Sequence, residues 1–196
     1  MLSMDNSIIP IIKELERIYD AVNAKFGFTY VRPLITIQTK GSAKNTLGWH
    51  CADTWEQGKE TICEINICAE SLNKNPVETL IHEMTHYGNF CEKTEDCNNA
   101  GYHNKNFKVK AENYGLTVEK MGRHGWAFTK VGEKLQIILN DIKVNKVVFE
   151  LYRKTHLTIT APTKMKKYRC TCTTVRCATE LHATCDACKK PFQLEE

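Results

Sequence analysis

The stretch that decides the fold is residues 75–91, NPVETLIHEMTHYGNFC. Asn75 followed by Pro76 is typical of a helix start, because proline fits the first helical turn. Apolar residues then recur at helical spacing, at Leu80, Ile81 and Met84. The stretch therefore predicts an amphipathic helix over residues 76–90 that turns one face towards a core.

The same predicted helix carries the pattern His82-Glu83-Met84-Thr85-His86. Residues four apart lie on one helical face, so both imidazoles can reach one ion. Zinc accepts neutral imidazole and, with three protein ligands, leaves a position open for water. Glu83 projects from the same side and is expected to act as general base towards that water. The pattern predicts a catalytic zinc bound by His82 and His86, with Glu83 as the catalytic residue.

A site of this kind needs a third protein ligand. A metzincin would carry a histidine six residues after His86, but that position is Glu92, which excludes that subclass. Four candidates follow the motif: Glu92, Glu95, His103 and Glu112. The two loop acids suit solvated positions. His103, at the entry of a helix predicted over about 104–114, is favoured over Glu112.

Other polar residues are candidates for the cleft around this site. His124, Tyr87, Tyr102 and Arg123 carry donors that can stabilise an oxyanion. His50 follows Trp49 in a predicted strand and is expected to be structural or part of the cleft wall. For each of these residues a loop, surface or structural role is the alternative.

The rest of the chain predicts an α+β domain of helices packed on a small sheet. An amphipathic helix is predicted over residues 8–26 and stops at Gly27. Strands are predicted at LITIQ (34–38), around 47–51 and at ICEINI (62–67). A further helix is predicted over 130–142, followed by a strand over 144–151.

Composition excludes disordered and collagen-like classes, since 42% of the 196 residues are hydrophobic and 26% are charged. No apolar stretch approaches the roughly 18 residues that span a bilayer, and residues 1–19 lack the basic region of a signal peptide. We therefore expect a cytoplasmic protein with no membrane partner. The net charge of +4 divides into −1 for residues 1–150 and +5 for residues 151–196. A basic tail suits binding to nucleic acid and equally suits a solvated surface.

Five of the ten cysteines lie between residues 170 and 188, and in a reducing compartment such a cluster indicates a metal site. Two short knuckles predict a structural zinc bound by Cys170, Cys172, Cys185 and Cys188. Cys177 is the reserve ligand, because a Cys172/Cys177 pair is also permissible, and His182 is a less favoured substitute. A redox cluster is the alternative.

The stretch 47–90 resembles the SprT-like family of zinc metalloproteases, which includes the eukaryotic Spartan proteases. The similar elements are Leu47-Gly48-Trp49, Glu64-Ile65-Asn66-Ile67, the helix with His82 to His86, and Gly101-Tyr102-His103 followed by Phe107. The resemblance extends over about residues 8–130. It implies that His82, His86 and His103 bind zinc, that Glu83 is catalytic and that a zinc ribbon follows. One departure is that His103 stands in Tyr-His-Asn, not in a strict Gly-His-Gly element.

These expectations describe a zincin-like metalloprotease domain (1–150), a linker (151–166) and a zinc ribbon (167–196), with one catalytic and one structural zinc. The expected reaction is hydrolysis of peptide bonds in a protein substrate by zinc-activated water. By the resemblance, that substrate is attached to DNA, on which the basic ribbon would dock. Two alternatives stay open, a nucleic-acid-binding zinc protein with an inert or regulatory site and a zinc hydrolase of non-peptide amides. The sequence predicts no oligomeric state.

Overall fold

The computed structural model describes residues 6–40, 45–154 and 165–195. The chain divides into two compact units, Met1–Thr155 and His156–Glu196. In the described ranges, the first unit holds four α-helices and two small sheets, and the second holds a three-stranded sheet with a cysteine cluster. The predicted α+β class is thereby confirmed. Of the predicted linker 151–166, residues 155–164 lie outside the described residues.

Helix α1 spans Ile9–Lys25, as the periodicity predicts. Pro10 lies in its first turn, and the chain leaves the helix through Gly27, whose φ of +75° favours glycine. The buried face of α1 is mainly apolar, and besides Glu14 and Asn23 it presents Ile11, Leu15, Ile18, Tyr19 and Val22. These side chains form one layer of the main core.

The main sheet contains β1 (Leu34–Gln38), β2 (Gly48–Gln57) and β3 (Glu60–Cys68). The strand order is β1-β3-β2, with β1 parallel and β2 antiparallel to β3, so β2 is an edge strand. Ile65 and Ile67 of β3 are fully buried, and their partners on β2 are His50 and Gly48. Because paired residues share a face of the sheet, Gly48 and His50 lie on the face that meets the helices.

Helix α2 spans Pro76–Cys91 and contains the motif. Its residues Leu80, Ile81 and Met84 have no exposed surface and belong to the core, as predicted. Gly48 allows α2 to approach the sheet closely. A Cβ at this glycine would lie 2.8 Å from Cγ2 of Thr79 and 2.6 Å from the carbonyl oxygen of Asn66.

Helix α3 spans Lys105–Asn113, within the predicted range. The side chain of Asn104 caps its start by accepting hydrogen bonds from the backbone N–H groups of Asn106 and Phe107, at 2.7 and 3.3 Å. Phe107 is fully buried, so the first turn of α3 is anchored in the core.

Two short strands follow, β4 (Leu116–Glu119) and β5 (Phe128–Val131), and then helix α4 (Glu133–Asp141). The helix predicted over 130–142 is therefore correct only from Glu133 onwards. Lys130 and Val131 instead pair with Thr117 and Leu116 in an antiparallel sheet. Strands of four residues are too short for alternation to separate them from helix in the sequence.

The strand predicted over 144–151 is wrong, because the chain forms a 3₁₀ helix over Lys146–Glu150. The N–H of Asn145 donates to Oε1 of Glu14 on α1 at 2.7 Å. Phe149 is buried, whereas Val147 is 69% exposed. The segment packs on α1, and among the described residues it has no partner strand, which β structure requires.

In the second unit, β6 (Lys166–Arg169) lies between β7 (Thr174–Cys177) and β8 (Gln193–Glu195), and both pairings are antiparallel. Tyr168 is 5% exposed and is the one buried aromatic residue among the described residues of this unit. A module with so small a core depends on crosslinks for its stability.

Candidate metal centre and cleft

Helix α2 borders an open cleft of about 1090 Å³. His82, Glu83 and His86 line this cleft, together with residues 45–50 before and within β2 and with residues 127–129 at β5. Glu83 is only 7% exposed, and the two histidines are partly buried. His82 and His86 meet the cleft from the helical face opposite Leu80 and Met84, and Glu83 lies at the border between the two faces.

Three imidazoles converge in this cleft. One ring nitrogen from each of His82, His86 and His103 lies within 4.8 Å of the others. Nε2 of His86 and Nε2 of His103 are 3.1 Å apart. A tetrahedral zinc with bonds of 2.0–2.1 Å holds its nitrogens roughly 3.3 Å apart, so this spacing fits a shared ion. The group could hold a metal ion, and its donor set is compatible with zinc.

The opposite ring nitrogens of two of these histidines have polar partners. Nδ1 of His86 lies 2.9 Å from Oδ2 of Asp96, and Nδ1 of His82 lies 3.2 Å from Oγ1 of Thr129. With Nδ1 engaged, each Nε2 keeps its lone pair for a metal. Neither Asp96 nor Thr129 was predicted. The sequence feature that could have pointed to Asp96 is a carboxylate ten residues after His86. No feature of the sequence points to Thr129.

Phe107 packs against all three imidazoles. The ring centroids of His82, His86 and His103 lie 4.7, 4.7 and 4.5 Å from that of Phe107. The phenylalanine is fully buried in the first turn of α3. It therefore forms a rigid apolar support that limits how far the three rings can rotate.

His103 lies in the loop before α3, but its backbone is fixed on two sides. It forms isolated β-bridges with Cys97 and with Gly125. Its N–H donates to the carbonyl of His124, and its carbonyl accepts from Trp126 N–H, both at 3.0 Å. Gly125 has a φ of +67°, and a Cβ there would lie 2.2 Å from the His103 carbonyl oxygen. Glycine at 125 therefore permits the approach that holds His103 in the cleft.

Burial controls ionisation in the cleft. It raises the pKa of Glu83 to about 7, against the opposing effect of His86. Burial, and secondarily His86, lowers the pKa of His82 well below 6.5 and also lowers the pKa of His103. Burial opposes protonation of His86 as well, but the hydrogen bond to Asp96 raises its pKa. Two of the three imidazoles are thus held in the neutral form that binds metals.

The acids that were candidates for the third ligand lie outside the histidine group. Glu92 pairs with Lys110, and Glu112 lies 3.6 Å from Nζ of Lys108. Glu95 lines the cleft but is exposed. Of the four candidates, the structure brings His103 alone to His82 and His86.

Two of the other polar candidates line the cleft, His50 and His124. The His50 ring packs against Tyr87 and Phe90, with centroid separations of 5.6 and 5.7 Å, and burial lowers its pKa to about 4. Tyr87 is 7% exposed, and its hydroxyl donates to a backbone carbonyl. Tyr102 and Arg123 are not among the described residues that line the cleft.

The second unit contains a thiol cluster. The sulfur atoms of Cys170, Cys172, Cys185 and Cys188 all lie within 4.8 Å of one another. Sγ of Cys172 is 3.6 Å from that of Cys170 and 3.5 Å from that of Cys185. Zinc–sulfur bonds of 2.3 Å in a tetrahedron place sulfurs roughly 3.8 Å apart, so these four could hold a zinc ion. Cys177 lies outside the group, with its Sγ 3.7 Å from Oγ1 of Thr179.

Comparison with models of known protein families, with curated proteins and with solved structures gives no match to this chain. The likeness to the SprT-like family therefore rests on the motifs of the sequence. Over the described ranges, no helix combines the length and the apolar character needed to cross a membrane.

Proposed function

We propose that this chain is a zinc-dependent peptidase of the SprT-like type, with a zincin-like catalytic domain followed by a zinc ribbon. The observation that carries the proposal is the convergence of His82, His86 and His103 within 4.8 Å in an open cleft. Glu83, on the same helix, lines that cleft beside them. Three imidazoles with an adjacent carboxylate are the residue set of a hydrolytic zinc centre.

His82, His86 and His103 would hold the zinc ion, which would supply Lewis acidity for the attack of water on a peptide carbonyl. Glu83 accepts the proton of the attacking water and later returns it to the leaving amine. A pKa near neutrality suits both transfers, and burial places the pKa of Glu83 at about 7. Asp96 and Thr129 hold the rings of His86 and His82 in place during the reaction.

The edge strand β2 supports a polypeptide as the substrate. Residues 47–50 line the cleft, and β2 pairs with β3 on one side only among the described residues. An edge strand can pair with an extended peptide through backbone groups that have no other partner; in β2 the His50 N–H is bonded to Glu83. A cleft of about 1090 Å³ also exceeds what a small amide would fill.

The ribbon supports docking of this peptidase on nucleic acid, which would select DNA-associated proteins as substrates. Arg169 and Lys190 line a groove of about 500 Å³, with Leu194 54% exposed beside them. Among the described residues, Arg176 and Lys190 form no ion pair, so their charge is available to phosphates. Lys167 is instead paired within the ribbon, with Glu195 at 2.7 Å.

Degradation of β-casein, an unfolded protein, tests the peptidase. The full chain and Glu83→Gln are compared after loading both with zinc. We expect the variant to keep its zinc and to lose at least about 100-fold in rate, because the general base is removed. Glu112→Gln, in which an exposed carboxylate outside the cleft is changed, serves as control. Equal rates for Glu83→Gln and the full chain would exclude the mechanism, and no cleavage by the zinc-loaded chain would exclude the function.

Salt dependence of binding to a single-stranded oligonucleotide tests the docking role. On a single strand, each phosphate contact contributes about 0.7 to the magnitude of the slope of log affinity against log salt. The double variant Arg176→Gln/Lys190→Gln should bind more weakly, with a slope shallower by about 1.4. Lys59→Gln, in the β2–β3 turn, is the matched control. An unchanged slope in the double variant would exclude docking through these cations.

A further inference from the structure

Four side chains of α2 line the cleft at intervals of one helical turn: Glu78, His82, His86 and Phe90. Residues four apart on a helix have Cβ atoms about 5–6 Å apart. Glu78 therefore lies one turn from His82, on the side away from His86. The chemistry assigned to Glu83 makes no use of this second carboxylate.

Glu78 is half-buried at the wall of the cleft. Burial raises its pKa, against the opposing effects of the Val131 backbone N–H and of Lys130. Nζ of Lys130 lies 3.9 Å from Oε1 of Glu119 and 4.8 Å from the ring centroid of Phe128, and it acts on Glu78 only through space. Within the described ranges, Glu78 forms no ion pair. Because Lys130 only partly offsets the burial of Glu78, this carboxylate gains by pairing with a cationic ligand.

Apolar side chains line the same cleft. Leu47, which precedes β2, is 43% exposed, and Phe128 of β5 is half-buried. Lysine and arginine side chains have apolar stems that pack on such surfaces while the charged end reaches a carboxylate. The cleft therefore offers both parts of a site for a basic side chain.

We propose that Glu78 is a specificity-determining residue that binds the Lys or Arg side chain of a substrate residue within about two positions of the scissile bond. An extended peptide advances about 3.3 Å per residue, so one helical turn on α2 corresponds to one or two substrate residues. The inference rests on the proposed peptidase function, because it places the scissile bond at the histidine group. The substrate would then be a polypeptide that carries Lys or Arg at this position.

Glu78 also stands in the first turn of α2, where an acid stabilises the helix N-terminus. Replacing it is expected to weaken the fold whether or not it binds substrate. The ratio of two substrate rates, measured on one variant, is independent of the folded fraction and of zinc content. That ratio separates recognition of the substrate from the structural role.

The test uses two decapeptides of Ala, Ser and Leu that differ at one central residue, Arg in one and citrulline in the other. Citrulline has nearly the shape of arginine but no charge. Both peptides are made in quenched-fluorescence form. The zinc-loaded full chain should cleave the Arg peptide with a kcat/KM about ten- to a hundredfold higher than that for the citrulline peptide. In Glu78→Gln the ratio should fall to near one. In Glu112→Gln it should stay at the value of the unchanged chain.

A binding measurement separates failure of this inference from failure of the peptidase. Fluorescein-labelled forms of both peptides are titrated into zinc-loaded Glu83→Gln, with and without Glu78→Gln. Preferential binding of the Arg peptide that depends on Glu78, without cleavage by the unchanged chain, would retain the cationic subsite and overturn the peptidase. Cleavage of both peptides at equal rates, or a ratio unaltered in Glu78→Gln, would overturn the inference and leave the peptidase intact.

Discussion

Oδ2 of Asp96 lies 2.9 Å from Nδ1 of His86 and also accepts a hydrogen bond from Nδ2 of Asn89 at 2.8 Å. Asn89 and His86 both belong to α2, so the Asp96 carboxylate is held by the same helix whose His86 ring it orients. It sets both the orientation and the tautomer of one imidazole of the metal centre.

Replacing Asp96 by asparagine should weaken zinc binding at the histidine site by about 10–100-fold, because the orienting carboxylate is lost. The measurement is competition with a chelator too weak to remove zinc from four thiolates. Glu95→Gln is the matched control, since this neighbouring carboxylate lines the cleft but lies outside the histidine group. Equal affinity in Asp96→Asn and the unchanged chain would show that Asp96 does not support the ligand.

The pH dependence of zinc binding should also report on Asp96. Zinc binds the neutral form of His86. The zinc affinity is therefore highest above the pKa of His86 and decreases as the pH falls through that pKa. The hydrogen bond to Asp96 raises that pKa, although burial opposes protonation. In Asp96→Asn the decrease in zinc affinity should therefore occur at lower pH. Zinc titrations between about pH 5.5 and 8 measure this shift. A midpoint that stays in place would contradict the role given to this hydrogen bond.

Gly125→Ala should disturb the third ligand. The added Cβ would meet the His103 carbonyl oxygen at 2.2 Å, so the loop that holds His103 must shift, and we expect at least about a tenfold loss of zinc affinity. Gly58→Ala is the control, because Gly58 has the same φ of +67° and no atom within 4 Å of the added Cβ. It should lower stability by about 1 kcal/mol and leave zinc binding unchanged. Similar zinc affinities in the two variants would contradict the account of Gly125.

The ribbon cysteines should differ in their effect on metal content. Cys172→Ser should lose the ribbon zinc, because its sulfur lies within 3.6 Å of two other thiols of the cluster. Cys177→Ser should keep it, since Cys177 lies outside the group of four. Zinc analysis of each purified protein gives the answer. Loss of zinc in Cys177→Ser would instead favour the alternative Cys172/Cys177 pairing.

Long elements in which apolar residues recur at regular helical spacing could be predicted from the sequence. Helices α1 and α2 match their predicted ranges closely, because each buries a continuous apolar stripe. The β4–β5 pair and the 3₁₀ helix at Lys146–Glu150 could not be predicted. In these short segments the packing partner decides the structure, and the β-branched residues of 144–148 favour strand when no partner is known.

The candidate site likewise contains residues that could be predicted from the sequence and residues that could not. His82, Glu83 and His86 are adjacent in sequence, so a helical repeat alone brings them together. His103 was one of four candidates, because its approach depends on the backbone bridge to Gly125, a contact that local pattern does not encode. Asp96 and Thr129 support the site through tertiary contacts and were identified only in the structure, as was the packing of Phe107 on the three imidazoles.

The zinc content of the purified full chain and of His103→Ala, after dialysis against a weak chelator, tests the central claim most directly. Two clusters could hold metal, so we expect two zinc ions per unchanged chain and one per His103→Ala chain, retained by the ribbon. If His103→Ala also keeps two, His103 is not a ligand. If the unchanged chain holds a single zinc that disappears in Cys172→Ser, there is no metal centre on α2.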